Sequence, residues 1–290
     1  MGFFTLLTPD GFVLSNGTVI VIIGIMFLYT FVGICAGFGG ALTTMPLITL
    51  LLPLKMAAPM SVIVGTATAL YATWLSRKET QWKPALVLIV FSFVGVPVGL
   101  YALASLPDQI MKIGLGGFLI LYSFYSLFIP RLPVYDKNWL AMPTGVIAGA
   151  LGSAFSTNGP PVVVYGMLRN LAPAAFRGTL NAFFTANNAA IIGGLATSGI
   201  LTISTIKLVL FCIPTMVLGS FVGQYVHQRI SVRVFRVMVF LLLIASGAML
   251  IKGALGISTL SALAPPFGVL AVLQLLFGKK VAAIRAADQT

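Results

Sequence analysis

The side chains able to do chemistry in this sequence are few, and most are neutral. The 290 residues include 17 Lys or Arg, only five Asp or Glu, one His and two Cys. The five acids are Asp10, Glu79, Asp108, Asp136 and Asp288, each read as lying in a loop, a tail or the first turn of an apolar run. None is therefore expected at a membrane midplane, where carboxylates bind cations or relay protons. His227 cannot build a metal site alone. Cys35 and Cys212 lie in apolar segments, which argues against a disulfide framework. A hydrolase needs a nucleophile with a base, or a metal. This inventory argues against an enzyme and against a divalent-metal substrate, and it implies no cofactor.

What remains is hydroxyls, amides and glycine-freed backbone, concentrated in two stretches. The first runs from Gly33 to Pro46 and the second from Gly145 to Pro161, ending Ser-Thr-Asn-Gly-Pro-Pro. Each opens with glycines at one spacing (33, 37, 40 and 145, 149, 152) and then breaks an apolar run with hydroxyls and proline. In lipid, a break frees backbone groups that hydrocarbon cannot satisfy, so two matched breaks point to a lined cavity. A helix start attracts anions through its unpaired N–H groups and its dipole. Short helices are expected after Gly40 and Gly159. Gly37, Gly39, Gly40, Thr43 and Thr44 in one break, with Thr157, Asn158 and Gly159 in the other, are the candidate anion contacts. The competing explanation is that the glycines serve close helix packing and the hydroxyls cap helix ends.

Further candidates lie in the spans that follow. Thr66 and Thr179 each follow a glycine, at Gly65 and Gly178. Arg177 is either a positive-inside anchor or an anion attractor at the inner mouth. Asn181 and Asn188 are seven apart and share a helix face, which is turned either to a cavity or to a helix–helix hydrogen bond.

The elements that must position these residues are membrane spans. The chain is 59% hydrophobic and 8% charged with mean hydropathy +1.07, and several runs exceed the roughly 20 apolar residues that cross a bilayer. Short alternating strands of an outer-membrane barrel are absent from the pattern. The fold class is all-α and polytopic, with a bilayer as its surroundings. The net charge of +12 is spread singly over short loops, which suits the positive-inside rule rather than nucleic acid. Met1 to Asp10 has no basic start, so a cleaved signal peptide is not expected.

The spans read as 17–36, a short 41–54, 56–76, 84–106 and 109–129. After a loop at 130–138 they recur as 139–157, a short 160–171, 173–199, 203–228 and 231–252. Residues 17–129 and 139–254 form two repeats around the cytoplasmic linker 130–138. A further span at 258–277 and a basic cytoplasmic tail at 278–290 follow. The repeat rests on offsets of 112 for the first glycines, 114 for Pro59 and Pro173, 113 for Gly65 and Gly178, and 124 for Gly95/Gly99 and Gly219/Gly223. With Arg77–Lys83 in the cytoplasm, every basic residue except Lys55, Lys112, Lys207 and Lys252 falls on that side. The corresponding loops of the two repeats then lie on opposite sides, so the repeats are inverted. The N-terminus lies outside and the C-terminus inside a bacterial inner membrane. Each broken pair either crosses fully or forms a re-entrant hairpin. About ten residues reach roughly 15 Å, half a hydrocarbon core, which favours the hairpin.

Gly37-Phe-Gly-Gly followed by Pro46-Leu47, and Asn158-Gly-Pro-Pro-Val-Val-Val-Tyr followed by Ala175-Phe-Arg-Gly-Thr-Leu, resemble the TauE/SafE family over roughly residues 18–255. Ser-Thr-Asn-Gly departs from a run of glycines in the commoner pattern. The resemblance implies a two-repeat transporter of small, mostly sulfur-containing anions such as sulfite or organosulfonates. A secondary transporter or facilitator by alternating access is the leading expectation, with a carboxylate anion as a further substrate class. A non-transporting scaffold and an intramembrane enzyme are the alternatives, and a homo-oligomer is compatible with either.

Overall fold

The computed structural model describes residues 16–36, 39–128, 138–227 and 232–256. The expected linker, except Asn138, the last span 258–277 and the tail 278–290 lie outside them. Among the described residues the chain is helical, with no strand. The helices are α1 (Asn16–Ala36), α2 (Gly40–Thr49), α3 (Leu54–Leu75), α4 (Trp82–Ser105) and α5 (Asp108–Phe128). After a 3-10 turn at Asn138–Leu140 come α6 (Ala141–Phe155), α7 (Gly159–Leu168), α8 (Pro173–Thr197), α9 (Ile203–His227) and α10 (Val232–Ala254).

Five of these helices are long and apolar enough to cross a membrane: those at 17–35, 54–75, 82–105, 108–128 and 203–226. Helix α8 has the length, with 25 residues, but Arg177 and three asparagines dilute its hydropathy. At 10 residues each, α2 and α7 span only about 15 Å and cannot cross. The surface is inverted relative to a soluble protein. Val90, Phe93, Val94 and Val98 on α4, and Leu210, Ile213, Leu218 and Phe221 on α9, are exposed, while Thr30, Thr44, Ser61, Ser92, Ser153 and Asn187 are buried. Apolar groups outside and satisfied hydroxyls inside are what lipid as solvent selects. The molecule is a multi-pass membrane protein.

The first break turns the chain back on itself. A Cβ on Gly40 would meet the carbonyl of Tyr29, eleven residues earlier, which a continuing helix would leave about 16 Å away. Glycine is required there because α2 returns against α1 backbone to backbone.

Glycines also show how the halves correspond. On α4, a Cβ on Gly95 would meet the Val146 carbonyl of α6, and one on Gly99 the Ala150 carbonyl. On α9, Gly219 stands against the Phe27 carbonyl of α1, and Gly223 against that of Phe31. Val146 and Ala150 lie 119 positions beyond Phe27 and Phe31. The same separation relates the starts of α2 and α7 (Gly40, Gly159) and of α3 and α8 (Leu54, Pro173). These contacts and helix starts recur at a separation of 119, seven residues or two helical turns more than the 112 of the first glycines, and at that separation Gly40 matches Gly159.

Helices at that separation also cross one another. Gly65 of α3 faces Asn188 of α8, Thr73 Oγ1 and Thr185 Oγ1 are 3.0 Å apart, and Ser76 faces Gly178. Numbers rise along one helix as they fall along the other, so α3 and α8 run antiparallel. The same holds for α5 and α10, where Gly116 meets Gly247 and Tyr122 meets the edge of Phe240.

Candidate functional site

Both breaks are shaped by left-handed residues. Gly39, the N-cap of α2, has φ 90°, a conformation open to glycine at no steric cost. At the end of α6, Ser156 has φ 56°. Its N–H donates to the Gly152 carbonyl at 2.8 Å, the bond with which a helix ends in a left-handed residue, and that of Thr157 donates to Leu151 at 3.4 Å. The Ser156 hydroxyl reaches across to donate to the Ala58 carbonyl at 2.9 Å.

Between the breaks lies a cavity of about 410 Å³. Helix α1 lines it with Tyr29, Thr30, Gly33 and Ile34, and two longer stripes form the other walls. On α3 and its C-cap these are Ser61, Gly65, Thr68, Ala72 and Ser76, and on α8 Ala174, Arg177, Asn181, Phe184 and Asn188. Steps of three and four residues keep each set on one face. Gly39, Gly40, Thr157, Asn158 and Gly159 close the inner end, and the exposed side chains of Leu75, Glu79 and Arg177 mark the mouth.

Of the residues expected from sequence, Gly39, Gly40, Thr157, Asn158, Gly159, Arg177, Asn181 and Asn188 meet in this cavity. Gly37 lies outside the described residues. Four others are not in the lining. Thr43 and Thr44 donate to the Gly40 carbonyl within α2, each at 2.9 Å, and are buried. Thr66 donates to Val62 at 2.7 Å, one residue round the helix from the lining position Gly65. Thr179 accepts the N–H of Gln81 at 3.1 Å and pins the α3–α4 loop to α8. Ser156, one of the hydroxyls the second break offers in the sequence, lines the cavity too, whereas sequence reasoning missed Tyr29, Ser61, Thr68, Ser76 and Glu79. The α3 stripe could have been found from its spacing around Gly65.

The polar groups are unequal in kind. At α2 the N–H groups of Gly40, Ala41 and Leu42 precede the first helical bond, which Thr43 makes to Gly39. The equivalent positions of α7 are Gly159, Pro160 and Pro161, and proline has no N–H. The expectation of two donor-rich helix starts thus holds in full only for α2. The second break offers side chains instead. Asn158 Nδ2 donates to Asn188 Oδ1 at 2.8 Å, which leaves the Asn188 amide N–H groups available. Thr157 is 2% exposed and its hydroxyl has no partner. Asn181 is held by donation to the Arg177 carbonyl at 2.8 Å. One carboxylate, Glu79, does reach the lining, at the mouth rather than among the donors. A site rich in neutral donors, with an arginine at its entrance, suits an anion.

The family model described as Sulfite exporter TauE/SafE matches residues 22–250, which take in both breaks and every helix that lines the cavity. The chain belongs to the TauE/SafE family. No curated protein and no solved structure matches it. Membership makes this a membrane transporter of a family named for sulfite export, and the small anion and surrounding lipid follow from it.

Proposed function

We propose that this TauE/SafE protein is a secondary transporter or facilitator that carries a small sulfur-containing or carboxylate anion, bound between the two breaks, by alternating access. The observation that carries the reading is the meeting of both breaks in one cavity. The α2 N–H groups and the unpartnered Thr157 hydroxyl lie at its closed end, and Arg177 and Glu79, the charged residues of its lining among the described residues, at its mouth. Buried donors without partners each cost about 1–3 kcal/mol, which an anion accepting from them recovers.

Residues 17–129 and 139–254 are the two repeats, and the antiparallel crossings of α3 with α8 and α5 with α10 support their inversion. An axis that exchanges antiparallel helices lies in the membrane plane. With Arg77–Lys83 cytoplasmic in an inner membrane, the cavity mouth faces the cytoplasm. An inside-negative potential of 100 mV favours expulsion of a monovalent anion by about 2.3 kcal/mol, so export needs no coupling ion.

Purified protein in liposomes loaded with sulfite or with a short organosulfonate tests this. Efflux that is saturable, driven by an inside-negative potential and lost in Asn188→Leu is expected. Efflux no faster than from empty liposomes, for either anion or a short carboxylate, overturns the transport reading.

A further inference from the structure

We propose that the hydrogen bond from Ser156 to the Ala58 carbonyl is a latch that holds the far end of the cavity shut, so that Ser156 is a positioning residue deciding which face of the membrane the cavity opens to. The inference rests on the inverted repeat proposed above, but not on the nature of the substrate.

The separation of 119 gives every lining residue a counterpart. Ala72, Ser76 and Arg177 line the open half of the cavity. Their counterparts are Ile191, Leu195 and Ala58, each 0% exposed and all within one apolar cluster. The same two helices therefore build an open mouth at one end and a dry seal at the other. An exchange of the two arrangements would close the present mouth and open the seal.

A bond from the break to α3 stands at the seal. At the seal, the α6–α7 break is tied to the first turns of α3 by Ser156 Oγ and the Ala58 carbonyl, 2.9 Å apart and buried. The counterparts of this pair are Gly37 and Arg177. Glycine has no hydroxyl with which to tie the first break to α8, and it is beside Arg177 that the cavity opens. Ser156 also holds φ 56°, a left-handed conformation that L side chains occupy at a cost and glycine does not. A residue in a strained conformation that spends its hydroxyl on a buried bond across helices points to a functional constraint. A bond of this kind biases a two-state equilibrium by a factor of about 3 to 10.

The test uses Leu195→Cys as reporter in sealed membranes, with an impermeant maleimide added on the side that labels a cysteine at Lys207. Native Cys35 and Cys212 are buried, and protein without the reporter supplies the background. The reporter should react slowly with Ser156 in place. Ser156→Gly removes the hydroxyl while relaxing the backbone, and should speed labelling about 3- to 10-fold from that side alone, with melting temperature retained. Ser156→Ala should speed it as well. Three results overturn the latch: an unchanged rate in Ser156→Gly, a rise from both sides, or a rise with alanine but not with glycine, which would trace the effect to strain. Labelling only from the Lys78 side would overturn the inversion with it. A labelling shift that persists while no sulfite or sulfonate binds would sustain the latch and fault the substrate reading instead.

Discussion

Asn158 Nδ2 donates to Asn188 Oδ1 at 2.8 Å across 30 positions of sequence, and so ties the tip of the second break to the middle of α8. The bond fixes two donors at the closed end of the cavity. Asn188→Leu removes one and frees the other to rotate. Sulfite affinity should fall about 10- to 150-fold, the 1.5–3 kcal/mol of a hydrogen bond to a charged ligand. The neighbour Asn187 is 0% exposed, has neither amide atom partnered and is absent from the lining. Asn187→Leu should leave affinity within about twofold and be neutral or stabilising, because it removes an unsatisfied buried amide. Titration and melting temperature of both variants check the contrast. Equal losses of affinity in the two would contradict it.

Arg177 and Glu79 stand at the mouth with opposite charges and no ion pair between them among the described residues. Both are exposed, so they act through the field at the entrance rather than by direct binding. Arg177→Gln should slow anion entry and Glu79→Gln should quicken it, each by about two- to tenfold at low salt. Both effects should shrink as ionic strength rises and the Debye length falls to about 8 Å. Initial transport rates across a salt series decide this, and salt-independent effects would place either group in direct contact with the anion.

Gly95 on α4 and Gly219 on α9 make the same contact in the two halves, each pressed against a carbonyl of the first helix of the other half. Gly95→Val and Gly219→Val should each cost about 1–3 kcal/mol of stability through overpacking. Gly24, with nothing within 4 Å of where its Cβ would lie, is the control. Gly24→Ala should keep the parent melting temperature or raise it slightly, since alanine favours the helix. A neutral Gly219→Val beside a destabilising Gly95→Val would break the equivalence of the halves.

Lys78 and Lys207 are both exposed, in the α3–α4 loop and near the start of α9. Single cysteines at the two positions should react with an impermeant reagent from opposite faces of the membrane. The cytoplasmic face should label the first. Reaction of both from one face would rule out the inverted arrangement.

The spans and breaks were legible in the sequence because lipid punishes unsatisfied backbone. A run of about twenty apolar residues in such a chain has little choice but a helix, and Gly37–Gly40 or Asn158–Pro161 has little choice but to end one. The face of α8 was legible too. Asn181 and Asn188 are seven apart, two turns, and stand out in an apolar segment.

The register between the halves was decided by tertiary structure. Gly145, Gly149 and Gly152 repeat every three or four residues, as Gly33, Gly37 and Gly40 do, so a slip of two turns matches nearly as well on paper. The backbone contacts of Gly95 and Gly219, with the helix starts, favour the separation of 119. Helix rotation was decided there as well. A threonine in an apolar helix satisfies its hydroxyl on its own preceding turn whichever way the helix faces, so Thr43, Thr44 and Thr66 carry no signal of direction. Which end of the cavity is open also lies beyond the sequence. Ser76 and Arg177 at one end and Leu195 and Ala58 at the other differ in polarity, but only packing shows that the polar end is the open one and that the Ser156 hydroxyl bonds across a 98-residue gap at the other.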